Sequence, residues 1–518
     1  MSRLRLQRLR LSLSQAGQRP EAGDAPGKRL LSIELVFTMT TKTPELTAAA
    51  TLAGSPVIQD SIDAIVRELT DAQSLITGAR PPQKELTETF QNYLDRVART
   101  KGKPPLYPYV GSGVGNGPLV ELADGSVKWD MITGIGVHPF GHSDPDLVAT
   151  ALRAALGDTV QQGNLQFNAD SIEFSELLLA EASRASRLRH CFTTNSGVMA
   201  NESALKICYQ KNAPASRVIA FSDCFMGRSV TMSQIGDNPA GRVGIPLTTQ
   251  VDYMPFYDAQ LGAQSTQRAI AQLQQHIARY PGQHACFVME LVQGEGGFNI
   301  APPEFFIALM KMCRQHNIAV WVDEIQTFGR TNSMFHFEQL GLGEYIDVVT
   351  IGKMAQACAC LFTEEFNPKP GLLSGTFIGG TVELQVGRRI LERLRDGGYY
   401  GPDGKIARLQ QAFRQHSKAF VEKHREWFPP VGAAATAARL NSLFDGVGGM
   451  MRLTPFGGEK AMVTKALNVM FAEGVIAFYC GHGPYHIRFL PPIGVMQPQQ
   501  FNDVFAIMEI AFAKVVKE

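Results

Sequence analysis

The chain has 518 residues, with 49 lysines and arginines against 48 aspartates and glutamates, and 45% of its residues are hydrophobic. This composition is typical of a soluble globular protein of roughly two to four folding units, and it excludes a largely disordered chain. A net charge of +1 leaves no electrostatic surplus for a polyanion, so we expect neither nucleic acid nor a membrane as a partner.

The first element is a basic extension over residues 1–45. Its opening stretch contains no acid and five arginines: Arg3, Arg5, Arg8, Arg10 and Arg19. This composition resembles an organelle transit peptide, and the alternative is a tail or an over-extended reading frame before Met39. The eight cysteines form no CxxC pair, which favours a reducing compartment. We therefore expect a cytoplasmic protein, or one of the mitochondrial or another organelle matrix if the extension is a transit peptide.

Residues 46–144 form a second segment, which we expect to join a smaller domain built by the C-terminus. Apolar residues recur at helical spacing between residues 56 and 99, with a break at Pro81 and Pro82, and this pattern predicts two helices. Residues 104–117 are rich in proline, glycine and tyrosine and predict a loop. Residues 119–122 and 127–132 flank a tight turn and predict a β-hairpin.

From residue 145 to residue 385, short apolar strands alternate with helical stretches, and we expect one large domain. The predicted strands are residues 190–194, 218–222, 285–291, 318–323 and 346–351. Residues 303–317 follow a proline and place apolar side chains at three- and four-residue spacing, which predicts a helix. Alternation of this kind indicates an α/β fold with a mostly parallel sheet and helices on both faces.

Residues 386–518 are predicted to form the smaller α+β domain. The pattern predicts a helix over residues 406–423, a strand over 448–453, a helix that ends at Glu473, and a strand over 486–490. No internal repeat occurs. The sequence therefore predicts a large domain and a small domain after the basic extension.

Four predicted strands end in polar residues, and ligands bind at the carboxyl ends of parallel strands. One strand leads through residues 195–198 into a helix near residue 200. The free backbone N–H groups at such a helix start can bind a phosphate group. The other three end in Glu290, in Asp323 and before Lys353. Taken alone, each feature has an alternative explanation that needs no ligand site, such as a helix cap or a solvated lysine.

Together these features match the requirements of pyridoxal 5'-phosphate. This cofactor needs an anchored phosphate, a carboxylate that keeps its pyridine nitrogen protonated, and an amine for a Schiff base. Asp323 and Lys353 supply the last two groups at neighbouring strand ends. A lysine in a partly buried, apolar site also has a lowered pKa, which suits a nucleophile and base.

Further motifs occur in a fixed order along the chain. They are Asp124-Gly125, Gly141-His142, residues 194–202, Phe225-Met226-Gly227-Arg228, residues 293–297, residues 322–327, Gly352-Lys353, Thr376-Phe377 and residues 488–492. This series resembles the class III aminotransferases of fold type I, from about residue 119 to the C-terminus. Segments 352–358 and 387–392 are most similar to lysine 6-aminotransferases, and 4-aminobutyrate and ornithine aminotransferases are the other close types.

The resemblance implies a role for each matched residue. Lys353 is similar to the lysine that forms the Schiff base and then moves the proton, and Asp323 is similar to the partner of the pyridinium nitrogen. The other implied cofactor contacts are Gln326 at the ring hydroxyl, Phe225 on the ring face, Ser196, Gly197 and Val198 at the phosphate, and Thr376 at the phosphate of the other subunit. The last role implies a homodimer.

Three charged residues carry the implied substrate site. Arg228 is similar to the arginine that binds the carboxylate of an ω-amino acid. Glu295 and Arg488 are similar to a switch pair, in which Glu295 neutralises Arg488 for the donor and swings aside for the α-carboxylate of 2-oxoglutarate. The alternative for this pair is a structural salt bridge. The implied reaction moves the ω-amino group of a lysine-like, ornithine-like or 4-aminobutyrate-like donor to 2-oxoglutarate, without a metal.

Other functions stay open at this point. Met226 stands where the family commonly has histidine or tryptophan, and Thr381 lies near a position that is usually asparagine, so the donor is not fixed. A decarboxylase or aminomutase on the same cofactor is one alternative, and a non-catalytic binding protein of the same fold is another. Retention of Lys353 and Asp323 argues against the latter. A dinucleotide site at residues 111–117 fails, because that stretch leads into a strand.

Overall fold

The computed structural model describes residues 47–161, 163, 165–431 and 443–517. The chain from Leu52 onward forms one compact unit. The basic extension predicted over residues 1–45 lies outside the described residues. Within the described ranges, no helix is both long enough and apolar enough to cross a lipid bilayer.

The N-terminal part contains three helices followed by three strands. They are α1 Ala48–Ala53, α2 Pro56–Gln73, α3 Thr87–Lys101, β1 Gly111–Asn116, β2 Leu119–Leu122 and β3 Val127–Asp130. The three strands pair antiparallel in chain order. The two predicted helices and the predicted hairpin are confirmed, with the break between the helices at the two prolines.

The predicted loop over residues 104–117 is wrong in its second half, where the structure has strand β1. Backbone pairing places Asn116 opposite Leu119 and Gly115 opposite Val120. A Cβ at Gly115 would lie 2.4 Å from the Cβ of His142, so only glycine fits there. This glycine therefore permits close packing within a strand, whereas the sequence pattern predicted a loop.

A seven-stranded sheet forms the centre of the fold. The elements of this region, in chain order, are α4 Thr133–Gly136, α5 Pro145–Ala154, β4 Val160–Gln161, α6 Ala169–Ala182, β5 Leu188–Thr194, α7 Gly197–Lys211, β6 Arg217–Phe221, α8 Val230–Ile235, β7 Gln250–Met254, α9 Ala263–Arg279, β8 His284–Glu290, β9 Val292–Gln293, β10 Asn299–Ile300, α10 Pro303–Gln315, β11 Ala319–Asp323, α11 His336–Gln339, β12 Val348–Ile351, β13 Cys358–Thr363, β14 Gly379–Gly380 and α12 Thr381–Asp396. The strand order is β5-β13-β12-β11-β8-β6-β7, and every strand except β13 runs parallel to the others. The predicted mostly parallel α/β sheet is confirmed.

All five predicted strands of this sheet are present, and so is the helix predicted over residues 303–317. The strands were recognisable because they are apolar runs buried on both faces; every residue of β8 and of β11 is buried. Two strands were missing from the prediction. Strand β7 lies at the sheet edge and contains Gln250 and Asp252, and the first half of β13 consists of cysteine and alanine and contains no β-branched residue.

The C-terminal part contains a second, antiparallel sheet. Its elements are α13 Lys405–Lys423, β15 Phe444–Val447, β16 Met450–Leu453, α14 Lys460–Glu473, β17 Val475–Ile476, β18 Phe478–Cys480, β19 His486–Phe489 and α15 Phe501–Lys517. The sheet order is β15-β16-β19-β18, and β17 pairs in parallel with β3. The helices and strands predicted here are confirmed. The domain boundaries at residues 144 and 385 stay a prediction.

Candidate functional site

The carboxyl ends of three neighbouring strands meet on one side of the central sheet. Parallel register places Asp323 of β11 beside Glu290 of β8 and beside Thr350 of β12. Lys353 follows β12 after one intervening residue. Two carboxylates and a lysine that are far apart in the sequence are therefore brought to one place by the strand order.

Asp323 is held by two hydrogen bonds that its carboxylate accepts. The Ile325 N–H donates to Oδ1 at 2.9 Å, and Nδ2 of Asn201 donates to Oδ2 at 2.8 Å. Burial raises the pKa of Asp323 to about 6, whereas these hydrogen bonds and the charge of Lys353 lower it. Asn201 is buried on α7 and is missing from the residues predicted to form the site. Its position one helical turn after Gly197 is the signal that could have identified it.

Glu290 is the second buried carboxylate, and the sequence pattern marks it only as the end of a strand. It accepts hydrogen bonds from the N–H of Phe225 at 2.9 Å and from the N–H of Gly294 at 3.1 Å. Burial, with a further contribution from the charge of Asp323, raises the pKa of Glu290 to about 8. Glu290 thereby anchors the two loops that carry Phe225 and Glu295.

Lys353 is largely buried in a strained backbone conformation. Its φ is +46°, a left-handed value that a residue other than glycine rarely adopts. Burial, followed by the positive charge of Arg488, lowers the pKa of Lys353 to about 8. About a tenth of the Lys353 amine is then neutral at pH 7, far more than for a lysine of ordinary pKa, and the neutral amine is the form that acts as a nucleophile or base.

The start of helix α7 faces this group of residues. Ser196 occupies the N-cap position, and the helical hydrogen bonds begin with the N–H of Met199, so the N–H groups of Gly197 and Val198 precede the helical ladder. A Cβ on Gly197 would lie 3.0 Å from Ile325, so glycine allows the helix start to approach the strand end. The N–H groups at the start of α7 therefore give the site a place where an anion can bind.

These groups enclose a cavity of about 310 Å³. It is lined by Gly197, Val198, Asn201, Phe225, Met226, Gly227, Arg228, Glu290, Asp323, Ile325, Gln326 and Lys353. The amide oxygens of Asn201 and Gln326 are buried and have no hydrogen-bond partner within the described part of the chain. Two larger clefts, of about 640 and 520 Å³, contain none of the predicted site residues.

The cavity fits pyridoxal phosphate. It combines an anion-binding helix start, a carboxylate suited to a pyridinium nitrogen, a lysine of lowered pKa, and an unused amide acceptor on Gln326. Seven of the predicted residues line it together: Gly197, Val198, Phe225, Arg228, Asp323, Gln326 and Lys353. The predicted residues Ser196, Glu295, Thr376 and Arg488 do not line it.

Arg228 and Phe225 lie side by side at the cavity. The guanidinium carbon of Arg228 is 5.6 Å from the centre of the Phe225 ring. Arg228 is exposed, so a substrate carboxylate can reach it, whereas Phe225 is half-buried and presents a ring to the cavity. An exposed guanidinium above an aromatic ring suits a planar carboxylate.

The structure pairs Glu295 with Arg488. Oε1 of Glu295 accepts a hydrogen bond from Nη2 of Arg488 at 2.8 Å. Arg488 is fully buried on β19, and its Nε and Nη1 have no partner among the described residues. The guanidinium therefore retains donors for a second carboxylate, and its charge contributes to the lowered pKa of Lys353.

Glu324, which follows Asp323, stabilises the loop beyond β11. Its carboxylate accepts hydrogen bonds from the Thr327 hydroxyl at 2.9 Å and from the N–H groups of His336 and Phe337 at 2.8 Å. Burial raises its pKa to about 7. These three donors would be left unsatisfied without the carboxylate.

We expect Glu324→Ala to lower the free energy of unfolding by roughly 3 to 5 kcal/mol, because it leaves three buried donors unpaired. Glu324→Gln keeps an acceptor oxygen and should cost about half as much. Denaturant titration measures both changes, with Glu68→Ala on the exposed face of α2 as the matched control. Equal stabilities for Glu324→Ala and the control would contradict the stabilisation of this loop by Glu324.

Comparisons with known proteins agree with this geometry. The family model "Aminotransferase class-III" matches residues 111–512. An acetylornithine aminotransferase of Halalkalibacterium halodurans is 33% identical over 241 residues, which cover 46% of this chain and 57% of the relative. A diaminobutyrate–2-oxoglutarate transaminase of Wolinella succinogenes is 25% identical over 406 residues, which cover 76% of this chain and 89% of the relative.

The fold also resembles solved structures. A lysine aminotransferase from M. tuberculosis has a TM-score of 0.68 and 22% sequence identity, and the likeness covers 82% of this chain and 99% of that chain. An amine transaminase from an uncultivated Pseudomonas species, solved in a form bound to pyridoxal phosphate, has a TM-score of 0.67 and 17% identity over 79% of this chain and 95% of that chain. These likenesses confirm the predicted fold type.

Proposed function

The chain belongs to the class-III aminotransferases, a pyridoxal-phosphate-dependent family, and on this premise we propose that it moves an ω-amino group to 2-oxoglutarate. The donor is an amino acid or diamine of the lysine-like, ornithine-like or 4-aminobutyrate-like type, and the products are glutamate and an aldehyde. The single observation that carries the proposal is the Glu295–Arg488 ion pair beside Lys353.

When bound, pyridoxal phosphate supplies an aldehyde that captures amines and a ring that takes up the electron pair released at a substrate carbon. The residues that would hold it are Ser196, Gly197 and Val198 at the phosphate, Asp323 at the ring nitrogen, Gln326 at the ring hydroxyl and Phe225 on the ring face. The carboxylate of Asp323 would favour a protonated ring nitrogen.

Lys353 carries the proton in the proposed reaction. Its Nζ, neutral in part because burial lowers its pKa to about 8, accepts the proton from the carbon that bears the donor's amino group. Asn201 and the Ile325 N–H hold the carboxylate of Asp323 in a fixed orientation during this transfer. The chain thus provides one base and one fixed negative charge at the cavity.

The substrate carboxylates are bound by Arg228 and Arg488 in this proposal. With the donor present, Glu295 neutralises Arg488, so the distal carboxylate of the donor binds Arg228 and its ω-amine reaches Lys353. With 2-oxoglutarate present, Glu295 releases Arg488, which then binds the α-carboxylate. The unpartnered Nε and Nη1 of Arg488 support this second use.

The names of the relatives support a donor with an amino group away from the α-carbon. Curated relatives include acetylornithine aminotransferases and diaminobutyrate–2-oxoglutarate transaminases, and the second name contains the proposed acceptor. Met226 lines the cavity where the family commonly has histidine or tryptophan, so the donor preference of this chain differs in detail from that of typical members.

We also propose a homodimer, in which Thr376 of each subunit reaches the phosphate of its partner. Thr376 is exposed, and the neighbouring Phe377 and Phe167 have 48% and 63% of their surface exposed. A backbone hydrogen bond from the N–H of Gly163 to the carbonyl of Gly375 joins the two segments that carry these side chains. Exposed aromatic side chains of this kind support a subunit interface.

For the compartment we propose the cytoplasm, with an organelle matrix as the alternative. The eight cysteines are all free thiols, and none is fully exposed, which supports a reducing environment.

The proposed function is tested with a panel of amines: lysine, ornithine, acetylornithine, 2,4-diaminobutyrate and 4-aminobutyrate. Each is mixed with the holoenzyme, and absorbance follows conversion of the bound cofactor from its aldehyde to its amine form. At least one ω-amino donor should convert the cofactor, and added 2-oxoglutarate should reverse the conversion and yield glutamate. Alanine, which has only an α-amino group, is the control donor.

A decarboxylase would instead release carbon dioxide without stable conversion of the cofactor, and an aminomutase would form no glutamate. Either result, or equal conversion by alanine, would contradict the proposal.

A further inference from the structure

The turn between β18 and β19, residues 481–485, lies against the turn that carries Glu295. The N–H of Gly481 donates to the backbone carbonyl of Glu295 at 2.8 Å. Gly481 has a φ of +93°, and a Cβ there would lie 2.2 Å from the carbonyl oxygen of Pro484, so this turn requires glycine. The backbone of Glu295 is thus fixed by the turn, while its side chain reaches Arg488.

The next residue in this turn, His482, places an imidazole at the edge of the same region. Its Nδ1 lies 3.1 Å from Oδ1 of Asp223, and 30% of its side chain is exposed. The charges of three carboxylates from three segments act on the imidazole: Asp223 after β6, Glu295 between β9 and β10, and Asp237 after α8. The hydrogen bond to Asp223, and then the three negative charges, raise the pKa of His482 against the effect of partial burial.

The proposed substrate switch needs a destination for the Glu295 carboxylate. If an acceptor carboxylate binds Arg488, Glu295 loses its charge-assisted hydrogen bond to that guanidinium. The loss of this hydrogen bond opposes acceptor binding. Arg452 lies opposite Arg488 on β16, but it is only 3% exposed. The side chain of Glu295 is 27% exposed, so a partner at the solvent edge suits it better than one in the interior.

We propose that His482 is a positioning residue of this switch, and that it receives the carboxylate of Glu295 when the acceptor binds Arg488. The inference rests on the proposed function, because it requires an acceptor that displaces Glu295. Asp223 orients the imidazole and favours its protonated form. His482 contacts neither substrate nor cofactor; it acts through Glu295 alone.

A pH dependence follows from this role. Protonated His482 offers Glu295 a cation, whereas the neutral imidazole does not. As pH rises through the pKa of His482, Glu295 stays on Arg488 and acceptor binding weakens. Binding of the ω-amino donor, which leaves the ion pair intact, should not follow this change.

The test measures binding of glutarate, a dicarboxylate without a keto group, to the holoenzyme by isothermal titration calorimetry. Glu295→Ala should lower the Kd for glutarate, because the competing carboxylate is gone. His482→Gln should raise the Kd about tenfold in the wild-type background and change it less than about twofold in the Glu295→Ala background. His316→Gln, at the exposed end of α10, is the matched control and should leave the Kd unchanged.

Each outcome decides between explanations. An unchanged Kd for His482→Gln, or an equal rise in both backgrounds, would reduce His482 to a structural residue while the proposed function stands. An unchanged Kd for Glu295→Ala would overturn both the switch and this inference. As pH rises above about 6.5, the ordinary pKa of histidine, the Kd of the wild type should rise, whereas that of His482→Gln should stay flat. Parallel pH profiles for the two proteins would contradict the role of His482.

Discussion

Replacing Lys353 with alanine is expected to slow conversion of the bound cofactor by an amino donor roughly 10⁴-fold, the upper range for loss of a positioned acid–base group. Lys353 lies beside the buried carboxylates at the strand ends, and burial lowers its pKa to about 8, so its amine is available as nucleophile and base. Stopped-flow absorbance of the cofactor measures the rate.

Two further variants separate the chemistry of Lys353 from its charge. Lys353→Arg keeps the positive charge but cannot release its proton, so we expect it to be as slow as Lys353→Ala. Lys311→Ala, at an exposed position of α10, is the control and should react at the wild-type rate. Substantial activity in Lys353→Arg would mean that the site uses the charge of the lysine and not its free amine.

Replacing Asp323 with asparagine is expected to lower kcat about 10³-fold and to weaken retention of the cofactor. Asparagine has nearly the same shape and can still accept a hydrogen bond from the Ile325 N–H, so the fold should persist. It removes the negative charge that favours a protonated ring nitrogen, and the reacting carbon then loses its electron sink. Steady-state kinetics at saturating cofactor measure the loss.

Asp503→Asn, exposed on α15, is the matched control for charge removal and should retain full activity. If Asp323→Asn keeps kcat within about threefold of the wild type at saturating cofactor, the assignment of Asp323 to the ring nitrogen is wrong. A loss of activity with a parallel loss of folded protein would be recognised by circular dichroism of the same sample.

The sequence predicted the central sheet well because its strands are apolar along their whole length. Every residue of β8 is buried, so the pattern is a continuous apolar run with a polar residue at its end. Strand β13 was missed because its alanine and two cysteines carry little β-propensity, and its place between β5 and β12 depends on pairing with both. The pairing of β13 with β5 and β12, and not the local propensity of its residues, therefore determines that this segment is a strand.

The same distinction applies to the candidate site. Lys353 and Asp323 were predictable because each stands at the end of a recognisable strand. Asn201 and Glu290 act through hydrogen bonds to residues 122 and 65 positions away, which no local pattern indicates. Glu295 and Arg488 are 193 positions apart, and only the family resemblance paired them before the structure placed them at 2.8 Å.

The most direct test of ω-amino transfer uses a diamino acid labelled with nitrogen-15 at one amino group only. Lysine or ornithine, whichever converts the cofactor faster, is incubated with the holoenzyme and 2-oxoglutarate, and mass spectrometry detects the label in glutamate. Donor labelled at the ω-amino group should give labelled glutamate, and donor labelled at the α-amino group should give unlabelled glutamate. Labelled glutamate from the α-labelled donor, or no glutamate from either, would contradict the proposed reaction.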